Sequence, residues 1–208
     1  MSGEVMSASR AMGNDSLEKL QASGLGNYFT PSQLERVGLG YAGLRTLLEE
    51  GCIVREGRGL YRRADAEITE HHSLAAVCAR VPRSIICLIT ALQVHDIGTQ
   101  FSPAVWLAIP KNAKPPKVES VSMRLIKFAP SAWTYGVVET SFEGVPARIT
   151  TPARTILDCF RFERLVGREA AMEALRDGLK RKKVTVDALY RTLDVLPSRG
   201  LAAALEHL

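Results

Sequence analysis

The stretch Thr30–Arg63, TPSQLERVGLGYAGLRTLLEEGCIVREGRGLYRR, holds two helix signatures and a hairpin signature in close succession. Thr30 suits the cap of a helix, and Gln33 is spaced to close a capping box with it. Pro31 fits the first helical position, because the N–H it lacks would be unpaired there anyway. Leu34 and Val37 face inward before Gly38 ends that helix. A second helix starts after Gly40, with Leu44, Leu47 and Leu48 on one face, and stops at Gly51. The period then changes. Cys52–Glu56 reads as a strand, Gly57-Arg58-Gly59 as a turn, and Leu60–Arg63 as the return strand. Toward the N-terminus, Leu17 and Leu20 mark an earlier short helix, closed by Gly24 and Gly26. Three helices followed by a hairpin is the order of a winged helix-turn-helix.

Residues 1–15, rich in Ser, Ala, Gly and Met, read as a flexible N-terminus, and residues 16–65 as the winged helix. The polar connection at residues 64–69 is the expected boundary before a larger mixed α/β domain over residues 70–208. In that part the pattern predicts helices at Ser73–Arg80 and Ser84–His95 and strands at Ala104–Ile109 and Met123–Phe128. A hairpin follows, Val137–Phe142 and Val145–Thr150, turning at Glu143-Gly144, with Pro146 pointing to an edge. Thr151-Pro152 repeats the cap-and-proline signal before a helix with Ile156, Leu157 and Phe160 inward. Helices at Glu169–Lys182, Thr185–Asp194 and after Arg199 complete the chain. The expected class is α+β, with a small sheet and C-terminal helices in the larger domain.

Hydrophobic residues form 46% of the chain and charged residues 24%, which excludes a disordered protein and allows a sizeable core. The net charge of +5 agrees with a polyanionic partner without establishing one. Cys52, Cys78, Cys87 and Cys159 are too dispersed for a zinc site, and they read as small buried hydrophobes in a reducing compartment. No apolar run has the length of a membrane span and no secretory leader is evident, so a cytoplasmic protein is expected. No cofactor or metal motif is present, the lone Glu119 makes no acidic cluster, and no catalytic motif appears.

Chemistry concentrates in the quoted stretch. With Leu44, Leu47 and Leu48 inward, Ala42, Arg45, Thr46 and Glu49 turn outward, and Tyr41 flanks the stripe at the helix start. The N-terminal part of the second helix of such a motif meets base edges. Arg45 can donate two hydrogen bonds to guanine, and Thr46 can meet a thymine methyl or a phosphate. A solvated Arg45–Glu49 pair at i,i+4 is the competing reading. Arg55, Arg58, Arg62 and Arg63 crowd a glycine turn, where an arginine can enter a narrow groove; a hairpin that is merely soluble is the alternative. Thr30, Ser32 and Gln33 can serve phosphate as well as the cap. The cationic run Lys180–Lys183 suits a helix C-terminus, with a second contact for DNA or an acidic protein left open. Trp133 and Tyr135 lie in a loop that could be an interaction surface.

Several segments together resemble the AbiEi-type antitoxins of bacterial type IV toxin–antitoxin systems. They are Arg58-Gly59-Leu60-Tyr61-Arg62, Val81-Pro82 with Ile86-Cys87-Leu88 and Ala91-Leu92, Val105–Pro110, and Thr151–Asp158. The resemblance runs in order from about Leu17 to near the C-terminus. It implies a winged helix that represses its own operon by binding inverted repeats in the promoter. It also implies a C-terminal domain that counteracts a nucleotidyltransferase-like toxin without necessarily forming a stable complex. By residue, Tyr41, Arg45 and Thr46 match the start of the reading helix and Arg58 the wing tip. Two other readings stand beside this one: a protein-interaction module on a winged-helix scaffold, and a nucleic-acid-processing enzyme.

Overall fold

The computed structural model describes residues 14–116, 118 and 121–207, so Glu119 and most of the expected flexible N-terminus lie outside the described residues. The chain divides into two compact units. The first runs through Pro82 and adds Ser141–Pro146 and the described residues of 117–121; the second takes the remainder.

In the first unit the elements are α1 (residues 14–22), β1 (Tyr28–Phe29), α2 (Pro31–Arg36), α3 (Tyr41–Glu49), β2 (Ile53–Gly57), β3 (Leu60–Arg63) and α4 (His72–Arg80). The capping box at Thr30 forms, with Gln33 Oε1 accepting from the Thr30 N–H at 2.8 Å. Leu34, Leu44 and Leu47 are buried with Leu20, Phe29, Leu39, Ile53 and Tyr61, so the predicted inward stripes make one core. Gly38, Gly51 and Gly59 all have positive φ, which is why the helices and the hairpin turn end on glycine.

The hairpin pairs Ile53 with Arg63 and Arg55 with Tyr61, and its register shifts between Arg55 and Gly57. β1 adds a third strand in the order β1-β3-β2, through Tyr28↔Arg62 and Phe29↔Tyr61. This strand was not expected. Two residues are too few to show a period, and only the partner strand makes them extended.

α4 packs on β1 and β3 and is buried along Leu74–Ala79. The first segment of the unit therefore runs on through α4 to Pro82, past the polar connection at 64–69. Its hairpin-tip addition is tight: a Cβ at Gly26 would collide with the Gly144 backbone, the Asn27 N–H donates to Glu143 O at 2.9 Å, and the Thr69 hydroxyl donates to Glu143 Oε1 at 2.6 Å.

The second unit, with the β7–β8 tip that is counted in the first, is a mixed five-stranded sheet with helices. Its strands are β4 (Ile85–Ile86), β5 (Val105–Pro110), β6 (Met123–Phe128), β7 (Val137–Phe142) and β8 (Val145–Thr150), in the order β6-β5-β4-β8-β7. The helices are α5 (Leu88–His95), α6 (Pro152–Arg161), α7 (Glu163–Val166), α8 (Arg168–Lys180), α9 (Val186–Val195) and α10 (Arg199–Glu206), with a 3-10 turn at Pro130–Ala132.

Two expectations are corrected. Ser84–His95 is not one helix, because Ile85-Ile86 pairs with β5, Ile86 pairs in parallel with Ile149, and Leu88, the first residue of α5, turns the chain at φ 50°. Pro146 does not mark an edge strand either. β8 lies inside the sheet and β7 is the edge; the two-residue β4 meets β8 at Ile149, away from Pro146.

Ile156, Leu157 and Phe160 are buried as expected, in a core with Trp106, Ile126 and Leu175. The polar side of α6 is buried as well. Arg154 is fully enclosed. Its Nε donates to Asp158 Oδ2 at 2.7 Å, Nη1 to Tyr135 O at 2.5 Å and Nη2 to Ala132 O at 3.0 Å. Its guanidinium also lies 4.9 Å from the Phe128 ring centroid. Burial pushes the Asp158 carboxyl up in pKa, opposed by Arg154 and Arg161. Trp133 and Tyr135, read as a possible interaction surface, are partly buried and pack one side against this core, with Arg148 over the Trp133 ring.

Removing one member of a buried pair strands the other charge. Arg154→Met is expected to cost about 3–5 kcal/mol in urea unfolding, and Arg154→Met with Asp158→Leu should recover part of that loss. His95 supplies a pH test. Its Nε2 donates to Thr150 O at 2.6 Å, and burial lowers its pKa from the ordinary 6.5. Below pH 6.5 the unfolded chain therefore binds more protons than the folded one, so stability falls with falling pH until the lowered pKa is passed. Unfolding midpoints across pH 5–8 (about that range suffices for a histidine) should slope less in His95→Gln.

Candidate nucleic-acid interface

The outward face of α3 is set by its buried one. Burying Leu44 and Leu47 turns Tyr41, Ala42, Arg45 and Glu49 to solvent, and Tyr41 is 82% exposed. Arg45 Nε donates to Glu49 Oε1 at 2.7 Å, and this bond raises the Arg45 pKa above its ordinary value. The i,i+4 pair weighed in the sequence is thus formed, yet both side chains remain exposed. A solvated pair of this kind exchanges readily. Thr46 is half-buried and its hydroxyl donates to Ala42 O at 3.0 Å, a local bond that a phosphate contact would have to share.

The wing separates its arginines. Arg58 is exposed at the tip between Gly57 and Gly59, and Arg55 is exposed with one long bond from Nε to Gly57 O at 3.4 Å. Arg62 is drawn inward. Its side chain is 13% exposed, paired with Glu56 at 2.6 Å, and donates to Arg63 O at 2.9 Å. Arg63 reaches back to Leu20 O at 2.8 Å and Leu25 O at 3.0 Å, bracing the end of α1, and burial lowers its pKa. Arg55 and Arg58 thus remain outward, whereas Arg62 and Arg63 hold the hairpin in place.

At the start of α2, Ser32 is exposed and shares a 3.1 Å hydroxyl contact with Thr30, while Thr30 and Gln33 bond to one another. Sequence reasoning overlooked Arg36, an exposed cation in the last turn of α2. The helical spacing from the buried Leu34 is the signal that places Arg36 on the outward face of α2.

Residues 15–64 match the family described as "Transcriptional regulator, AbiEi antitoxin". The matched region covers α1 to β3, so it contains every side chain placed above. A solved structure titled "Crystal structure of RV2827C protein from Mycobacterium tuberculosis" aligns over 86% of this chain and 71% of that one, at 15% identity and a TM-score of 0.49. No curated protein matches the chain. Among the described residues no three His, Cys, Asp or Glu side chains are placed to hold a metal ion, and no helix is long and apolar enough to cross a membrane.

The two classes of wing arginine should separate in thermal melts. Arg62→Ala leaves Glu56 half-buried without its partner and is expected to cost about 1–3 kcal/mol, whereas Arg58→Ala should leave the melting temperature unchanged.

Proposed function

We propose that this protein is a DNA-binding transcriptional repressor that acts as the antitoxin of a type IV toxin–antitoxin system. In this reading it binds inverted repeats in its own promoter and counteracts a nucleotidyltransferase-like toxin through its larger unit. The observation that carries the reading is the outward placement of Tyr41, Arg45 and Arg58 within the region that matches AbiEi antitoxins.

In this reading the labour divides by which side chains are exposed. α3 enters the major groove, and Arg45 exchanges Glu49 for the O6 and N7 acceptors of a guanine. Tyr41, at the start of the helix, lies against the groove wall. Arg58, flanked by glycines that let the backbone approach, follows the negative potential of a narrow minor groove. Arg55 and Ser32 contact phosphates, with Thr30, Gln33 and Thr46 in secondary positions because their polar atoms already have partners. Arg62 acts by shaping the wing. Glu49 opposes phosphate and holds Arg45 until a base replaces it.

Fluorescence anisotropy with a labelled duplex from the region upstream of the gene tests this. Arg45→Ala should lose preference over a scrambled duplex by about tenfold. Arg58→Ala should weaken binding to both duplexes and flatten the log–log salt slope by about 0.9. Glu49→Gln should tighten binding to both. A duplex that fails to bind at low salt, or an Arg45→Ala variant with unchanged preference, removes the DNA-reading role.

A further inference from the structure

We propose that the second unit carries a binding site for a small phosphorylated ligand, in the cleft where α6 and α9 begin. The cleft has a volume of about 520 Å³ and is walled by Tyr135, Thr151, Lys182, Lys183, Thr185 and Arg191, among others. Its charge is one-sided: both lysines and the arginine line it, and no carboxylate does. A second cleft, of about 610 Å³ along α8, shows that this is not a general property of the unit, because Glu169, Glu173 and Asp177 alternate there with the cations.

The three cations are also available. Lys182 has no ion pair among the described residues. Lys183 reaches Asp96 only at 3.5 Å, and that carboxylate is held by Arg181. Arg191 pairs with Asp187 at 2.8 Å, at a position where both side chains are largely exposed and a pair is screened by solvent. A ligand carrying two negative charges can therefore recruit all three without breaking a buried interaction.

Phosphate is the anion that this set fits. A guanidinium fork and two ammonium groups supply more donors than a single carboxylate can accept, and a phosphoryl group offers three oxygens. Backbone donors add to the cationic lining, since α6 and α9 both start at the cleft wall, capped by Thr151 and Thr185. Tyr135 gives the remainder of the ligand an aromatic wall. Its hydroxyl donates to Arg191 O at 3.2 Å, which fixes the ring beside the cations. None of these residues belongs to the proposed DNA-reading face, so the two readings stand or fall separately.

Calorimetric titration of the full chain with pyrophosphate at low salt is the test. Saturable binding to one site is expected, weakened by about tenfold or more, one charge-assisted contact's worth, in Lys182→Gln and in Arg191→Gln. Arg176→Gln, which removes an exposed cation of the other cleft, should bind as the parent does. Circular dichroism melts check folding. If Lys182→Gln melts early, Lys182→Gly replaces it, because residue 182 has a φ of 57° that glycine adopts without strain. Absence of saturable binding overturns the proposal. So does equal weakening by Arg176→Gln, which signals general charge attraction, or binding of an oligonucleotide through these cations with no response to pyrophosphate. If the cleft serves a small phosphorylated ligand, Lys182→Gln should bind the promoter duplex as the parent does.

Discussion

The buried Arg154–Asp158 pair is the constraint around which the second unit is arranged. A guanidinium taken wholly out of water must have its donors filled, and here each donating nitrogen has a fixed acceptor: a carboxylate one turn along α6 and the carbonyls of Ala132 and Tyr135. Those carbonyls come from the connection between β6 and β7. One side chain thus fixes where α6 lies against that connection, and with it the loop that brings Tyr135 to the surface. Gly136 belongs to the same arrangement. Its φ is positive, and a Cβ there would sit 2.8 Å from Arg154 Cβ, so the chain passes the arginine closely only because residue 136 has no side chain.

The first unit obeys a different logic. Its core is apolar, and its polar chemistry is sorted by which arginines the hairpin needs for itself. The irregular register between Arg55 and Gly57 brings Glu56 toward Arg62, and the turn that follows carries Arg58 outward. Arg63 braces α1. A cluster of four like charges in the sequence becomes two structural cations and two outward ones, and only the outward pair faces solvent.

Much of this was legible beforehand where the signal is local. The cap at Thr30, the proline at the first helical position, the terminating glycines and the inward leucines of α3 all act within one or two turns, and they appear where expected. The α6 start at Thr151-Pro152 is legible for the same reason. What could not be read depends on partners distant in sequence. β1 is extended because β3 lies beside it. Ile85-Ile86 leaves the helical pattern because β5 and β8 flank it. Nothing local in the sequence marks Arg62, Arg154 and Asp158 for burial, which follows from partners that only the fold assembles. The membership of α4 is another such case, since its small buried face finds its cover on β1 and β3.

The close approach of Gly26 and Gly144 has a consequence for synthesis. More than half of the chain separates them, yet both belong to the same compact unit, together with the Asn27–Glu143 and Thr69–Glu143 bonds. As the polypeptide leaves the ribosome, the N-terminal helices and wing can assemble early from local contacts, but their last piece emerges only with the β7–β8 turn. The unit that presents α3 is therefore finished late, and a fragment cut after residue 82 would lack a piece of its own wall.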